Sequence, residues 1–231
     1  MLIIEVQKGF CNRIRTIFSY NEYAKSIKQT LHVLWLKDEH CPGFYLDYFK
    51  PIPNVIFLND KNSNQDIFYT GCGWHPKYPP YQYIGDSDKV PNLFKNLKLK
   101  DSINMIIKNK IKILENNYIA LHIRRTDHTN LAKRNNKYTS DQEFMAFINR
   151  NKNINIYIAS DNKETYNKFK NLYPNRIKFD YHFSNNNERR KTSLQDAIID
   201  LFMCVYSNKF LGSNYSSYSD TIINLKKNIK T

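Results

Sequence analysis

The stretch "YIALHIRRTDH", residues 118–128, decides the fold. Tyr118–Ile123 is an apolar run of strand length, interrupted only by His122 and lacking the polar alternation of a half-exposed strand. Such a run marks a strand buried on both faces, as in a parallel sheet. It runs out into His122, Arg124, Arg125 and Asp127, ionisable groups of both signs within six positions. In open α/β sheets ligands bind beyond the carboxyl ends of the strands. Charged side chains at the end of a buried strand are therefore the first candidates for ligand contact.

Working outward, the same alternation repeats. After a basic polar loop at 125–139, Ser140-Asp-Gln-Glu143 is a capping box that opens a helix to about 150. Ile154–Ala159 reads as a strand ending in Ser160-Asp161, followed by a helix at 163–172, Pro174 and a strand at 177–181. Beyond a polar loop, Thr192-Ser-Leu-Gln195 reads as a second capping box, opening a helix to about 207. Lys209–Leu211 is the next strand, and the small-residue run Gly212–Ser219 leads into a last helix ending near 227. On the N-terminal side a helix is expected at 101–115. The first quarter reads as strand Leu2–Val6, helix 12–28 with Asn12 as N-cap, strand Leu31–Leu36, short helix 43–49 and strand Val55–Leu58. Residues 60–98 break the pattern, with Pro76, Pro79, Pro80 and Pro91 among many aromatic residues. They read as a connector or as one wall of a binding cleft. The expected fold is α/β, with two Rossmann-like lobes at 1–99 and 100–231, each a doubly wound parallel sheet, and a central cleft.

The bulk properties narrow the class. The chain has 231 residues, of which 41% are hydrophobic and 14% aromatic, too many for a disordered protein. No run approaches the roughly 20 apolar residues that span a bilayer. Met1–Val6 lacks the charged and apolar regions of a signal peptide. Cys11, Cys41, Cys72 and Cys204 are scattered, which points to reduced thiols and a cytoplasmic protein. The net charge of +14 favours anionic partners: nucleic acid, phosphorylated small molecules, or anionic lipid touched peripherally. An Asn- and Lys-rich composition explains much of that charge, but not two arginines at a strand end.

Three polar clusters fall at expected strand ends: His122–Asp127, Ser160-Asp161 and Gly212–Ser219. The last reads in two ways. Its serines cap the helix that follows, or its backbone N–H groups and hydroxyls hold an anion at the positive end of the helix dipole. Arg124 and Arg125 likewise read as surface ion pairs or as bidentate contacts to a phosphate.

The blocks "GFCNRIRTIFS", "LHVLWLKDEHC", "ALHIRRTD", "IYIASDN" and "TSLQDAIIDLF…LGSNYSSYS" resemble, in order, the signature of the fucosyltransferase superfamily of GT-B-like fold. The H-x-R-R-T-D block is most similar to the α1,6 and nodulation type, which is related to the α1,2 and protein O-fucosyltransferases. The resemblance implies a glycosyltransferase that uses GDP-fucose without metal or other cofactor, inverts the anomeric carbon and glycosylates a glycan hydroxyl. It assigns Arg124 to the β-phosphate, with His122 and Arg125 on the donor, and Asp200 to the guanine. Ser216 and Ser217 then lie on the phosphates, and Gly9, Asn12 and Arg13 match a G-x-x-N-R loop that faces the cleft.

One position departs from that pattern. The α1,6 type carries a Glu a few residues beyond R-R-T-D. The corresponding place here is near Ala132, and residues 128–136 hold no carboxylate. Asp127 is the nearest candidate for the general base, with His128 next. Asp127 also reads as structural, pairing with Arg125 or capping a turn.

Three other readings compete with the transferase. Asp86-Ser-Asp88 fits the D-x-D of metal-dependent sugar transferases but sits among prolines and aromatics. A kinase-like reading lacks a glycine-rich loop and D-F-G. A polyanion-binding protein suits the charge and the aromatics at 69–83, but no sequence-specific nucleic-acid motif is present. A transferase using another nucleotide sugar is the nearest alternative.

Overall fold

A computed structural model of the chain describes residues 2–60, 68–69, 93–126, 129–180 and 192–229, with 68–69 and 228–229 by backbone alone. The elements are β1 (Leu2–Glu5), α1 (Phe10–Ser26), β2 (Leu31–Leu34), α2 (Tyr45–Tyr48), β3 (Val55–Leu58), β4 (Phe68–Tyr69) and α3 (Asp101–Ile113), then β5 (Tyr118–Ile123), α4 (Thr129–Arg134), α5 (Asp141–Arg150), β6 (Asn155–Ser160), α6 (Lys163–Leu172), α7 (Leu194–Tyr206), β7 (Lys209–Gly212) and α8 (Ser217–Ile229). They fall into two compact units. One runs to Lys100 and takes in the end of the chain from Lys227; the other is Asp101–Lys226.

The first unit is a parallel sheet of order β3-β2-β1-β4. All four residues of β1 are buried, Leu2, Ile3 and Ile4 as an apolar run and Glu5 after them. Helix α1 lays Ile14, Ile17, Phe18 and Ala24 into the core at helical spacing. Phe10, Trp35, Tyr45, Phe49 and Phe57 form a continuous aromatic cluster, with ring centroids 4.4–6.5 Å apart. Trp35 is buried there and donates its indole N–H to the Gly43 carbonyl at 2.8 Å, so it is core packing. Helix α1 begins at Phe10 and is capped by Gly9 without a side-chain bond. Asn12 therefore lies inside the first turn instead of capping it: its Oδ1 accepts from Arg15 Nη2 at 2.9 Å.

The second unit is a parallel sheet of order β6-β5-β7. On one face Ile119, Leu121 and Ile123 of β5 and Ile156 and Ile158 of β6 pack against Phe144 and Ile148 of α5 and Tyr166 and Phe169 of α6. On the other face the Tyr118 hydroxyl donates to the Met203 carbonyl of α7 at 2.7 Å, and the His122 ring lies 4.5 Å from that of Tyr218 in α8. Helices on both faces make the sheet doubly wound. Each buried Ile, Leu or Phe contributes about 1.5–3 kcal/mol.

The Ser140–Glu143 capping box forms in full, with Ser140 Oγ accepting from the Glu143 amide at 3.2 Å and Glu143 Oε2 accepting from the Ser140 amide at 2.7 Å. The second cap sits one residue later than expected: Ser193, not Thr192, accepts from the Asp196 amide at 3.0 Å. The loop at 125–139 contains the short helix α4. The strand expected at 177–181 is not formed over the described residues 177–180. Side chains satisfy its carbonyls instead: Lys170 Nζ donates to those of Ile177 and Phe179, and the Tyr166 hydroxyl to that of Phe179.

Candidate active site

In both sheets the strand order reverses, between β1 and β4 in the first and between β5 and β7 in the second. Such switch points open a crevice at the carboxyl ends of the strands. Gly9, Asn12 and Arg13 follow the first. His122, Arg124, Ser213, Ser216 and Ser217 follow the second.

At the second switch point, His122 is the last residue of β5 paired with β7, opposite Gly212. Its carbonyl accepts from the Ser213 amide at 2.8 Å, and Ser213 Oγ accepts from the Arg124 amide at 2.9 Å. These two bonds lock the end of β5 to the loop after β7. His122 Nδ1 lies 2.8 Å from Ser219 Oγ, in the first turn of α8. Gly212 makes this approach feasible. A methyl group there would sit 2.5 Å from Ser219 Oγ and 2.8 Å from the Phe210 ring. Ser219 is thus part of the site, although only its place one turn into the last helix marks it in the sequence.

Burial, reinforced by the positive charges of Arg124 and Arg125, lowers the His122 pKa to about 3. The ring is therefore neutral at physiological pH. Its folded pKa lies below the ordinary value, so its stabilising contribution is complete above pH ~6.5. Between pH ~6.5 and about 3 the unfolded chain takes up the proton first and stability falls. The His122 ring proton shifts are expected to stay flat from pH 8 to 5 by NMR. A midpoint near 6 would mean that the ring is open to water.

Arg125 is held by contacts of its own. Its Nη2 donates to Asp141 Oδ1 at 2.7 Å, its amide donates to Asp161 Oδ1 at 2.8 Å, and its guanidinium lies over the rings of Tyr138 and Phe144 at 4.8 and 5.5 Å. Burial opposes the Asp141 charge, but hydrogen bonds from Lys168 and Arg125 outweigh it and lower the pKa of the carboxyl. Asp161 also accepts from the Thr126 hydroxyl at 2.5 Å. Arg125 and Asp161 thus hold the loop from which Arg124 projects. Asp127 and His128, like Asp86 and Asp88, lie outside the described residues.

Arg124 and Arg125 line a small hollow with Ala132, Tyr138, Thr139, Ser213 and Tyr215. Ala132, the expected neighbourhood of the missing carboxylate, is buried in its wall. Ser216 precedes α8 and is 4% exposed. Its hydroxyl makes no hydrogen bond among the described residues, whereas Ser140, Asn162 and Ser193 each cap their helix by accepting a backbone N–H. Ser217 is half-buried in the first turn. Asp200 is buried in α7, where its Oδ1 accepts from the Tyr157 hydroxyl at 2.6 Å. It borders a cavity of about 100 Å³ with Tyr157, Tyr166, Phe179 and Asp196.

In the first unit Arg13 is 1% exposed and fully engaged. Its guanidinium donates to the carbonyls of Lys8 at 2.8 Å and Leu36 at 2.6 Å, pairs with Asp38 at 2.6 Å and lies 5.0 Å from the Trp35 ring. It ties the loop after β1 to the loop after β2. Gly9 has open space where a side chain would be. No group of three or more His, Cys, Asp or Glu that would hold a metal occurs among the described residues. Nor is any of their helices long and apolar enough to cross a membrane.

The sequence profile of the family described as GDP-fucose protein O-fucosyltransferase matches residues 2–227. The fold is similar to that of the NodZ α-1,6-fucosyltransferase soaked with GDP-fucose, with TM-score 0.63 and 14% identity over 97% of this chain and 92% of that one. It is similar to NodZ from Bradyrhizobium (TM-score 0.60, 16% identity, 96% and 91% covered) and to the apo form of POFUT1 (TM-score 0.65, 11% identity, 99% and 95% covered). No curated protein sequence matches the chain. The profile spans nearly the whole sequence and the fold agrees: the chain belongs to the GDP-fucose protein O-fucosyltransferase family and is a glycosyltransferase of GT-B-like fold.

Proposed function

We propose that this protein transfers a fucosyl group from GDP-fucose to a glycan hydroxyl, with inversion and without a metal ion. One observation carries the reading: the N-terminus of α8 lies at the switch point with the buried Ser216 hydroxyl unused as a cap. The open readings of the serine run were capping and anion binding, and an unused cap favours the anion. The amides of the first helical turn, the Ser216 and Ser217 hydroxyls and Arg124 would receive the diphosphate. Asp200 would accept from guanine on the Tyr157 side of α7, with the neutral His122 alongside.

In the reaction the acceptor oxygen bonds to the anomeric carbon as the bond from that carbon to the β-phosphate oxygen breaks. GDP leaves with the electron pair, and the acceptor proton passes to a base, which we assign to Asp127. Charge grows on the diphosphate, and donors already aimed at it lower the barrier. The free thiols at Cys11, Cys41 and Cys204 support a reducing, cytoplasmic setting.

Calorimetric titration tests the donor site. GDP is expected to bind EDTA-treated protein in preference to UDP and ADP, at low and high salt alike. Equal binding of all three that collapses with salt would mean that the surface charge attracts any anion. Transfer is expected to survive EDTA. A loss that Mg²⁺ or Mn²⁺ restores would move the reading to Asp86 and Asp88.

A further inference from the structure

We infer that Tyr215 is the platform for the transferred sugar, a specificity-determining residue beside the diphosphate site; this rests on the proposed donor reading. Tyr215 has φ +60°, in the left-handed region that a bulky side chain rarely adopts. The neighbouring residues hold it there. Ser213 is bonded through its amide to His122 and through its hydroxyl to Arg124, the Asn214 amide donates to Thr139 Oγ1 at 2.9 Å, and the Ser216 carbonyl accepts from the Asp220 amide at 3.0 Å. Glycine or asparagine would suit this backbone with less strain. Strain of this kind persists where the surrounding structure fixes it, and it clusters at ligand-binding positions.

The strain is not offset by burial of the ring. Tyr215 is 41% exposed while it lines the hollow shared with Arg124. Lys137 Nζ lies 5.7 Å from the ring centre. An exposed aromatic face, held rigidly beside a phosphate-binding arginine, suits a ring with one apolar face and polar edges.

The chemistry of the donor identifies that ring. Tyr215 directly precedes Ser216, and both adjoin the proposed phosphate contacts. In a nucleoside diphosphate sugar the hexose is joined to the terminal phosphate through a single oxygen, so it is the group within reach of Tyr215. The nucleobase lies at the other end of the ligand, toward Asp200. A 6-deoxyhexose adds a methyl group to its apolar face and gains most from stacking.

Calorimetric titration of GDP and of GDP-fucose into the full chain and into Tyr215→Phe and Tyr215→Gly tests the assignment, with Tm measured in parallel. Tyr215→Phe is expected to bind both ligands as the unaltered chain does. Tyr215→Gly is expected to keep its GDP affinity within twofold, to weaken GDP-fucose about tenfold, and to show an unchanged or raised Tm because the backbone strain is relieved. Equal losses for the two ligands would make Tyr215 a merely structural loop residue and overturn the inference. Unchanged affinity for GDP-fucose would overturn it too. Failure of the unaltered chain to bind GDP would overturn the donor reading itself and this inference with it.

Discussion

Arg124→Ala is expected to slow fucosyl transfer about a hundred- to a thousandfold while leaving the fold intact. The magnitude is that of deleting one preorganised donor to developing negative charge, about 2.7–4 kcal/mol. The fold should survive because the bonds described at this corner run through backbone amides, Ser213 and Arg125. The amide at position 124 still reaches Ser213 Oγ, the Ser213 amide still reaches the His122 carbonyl, and Arg125 still pairs with Asp141. Arg124→Lys should recover little, since an ammonium offers a point charge in place of a planar fork. Initial rates from GDP-fucose, with Tm measured alongside, decide the matter. A variant within threefold of the unaltered rate would remove Arg124 from the phosphate site.

Arg13→Met is expected to act on stability instead. The substitution keeps much of the apolar stem but leaves the Lys8 and Leu36 carbonyls and the Asp38 carboxylate without their shared donor. Removing one partner of a buried pair costs about 3–5 kcal/mol. The lower end applies here because Asp38 keeps 39% of its side-chain surface exposed. At about 2–4 °C per kcal/mol for a chain of this size, the unfolding midpoint should fall by roughly 6–12 °C. The alternative is that Arg13 contacts the donor, as its place in the G-x-x-N-R loop implied. It would appear as weakened GDP affinity at an unchanged Tm.

These two arginines mark where the sequence was legible. Tyr118–Ile123 was bounded correctly because a strand buried on both faces is apolar almost throughout, with His122 the one exception. The Ser140–Glu143 box was legible because all its partners lie within four residues. Arg13 was not. Its partners Leu36 and Asp38 lie 23 and 25 residues away and are brought to it by the pairing of β1 with β2. A ligand arginine and a tethering arginine look alike until that pairing is known. Helix α4 was hidden because its six residues bury only Ala132 and so carry no apolar period. Asp200 was named through the resemblance alone; its bond to Tyr157 spans 43 residues, and no local pattern announces it. The paired roles of Asp161 and Asp141 on the loop after β5 were missed for the same reason.

The order of the strands also has a consequence for synthesis. β5 sits between β6 and β7, and the Tyr118 amide bonds to an Asn208 side chain 90 residues further along the chain. Loop closures this long are slow. As the chain is made, β6 can zip onto β5 within about forty residues, leaving the other edge of β5 bare until Lys209–Gly212 arrive. An open apolar edge is a template for pairing with other chains. The serines of the proposed diphosphate site follow directly after those residues, so the nascent chain would complete that site and cover the open edge in a single event. GDP-fucose, binding only the finished corner, would act as a ligand that pulls that last step to completion.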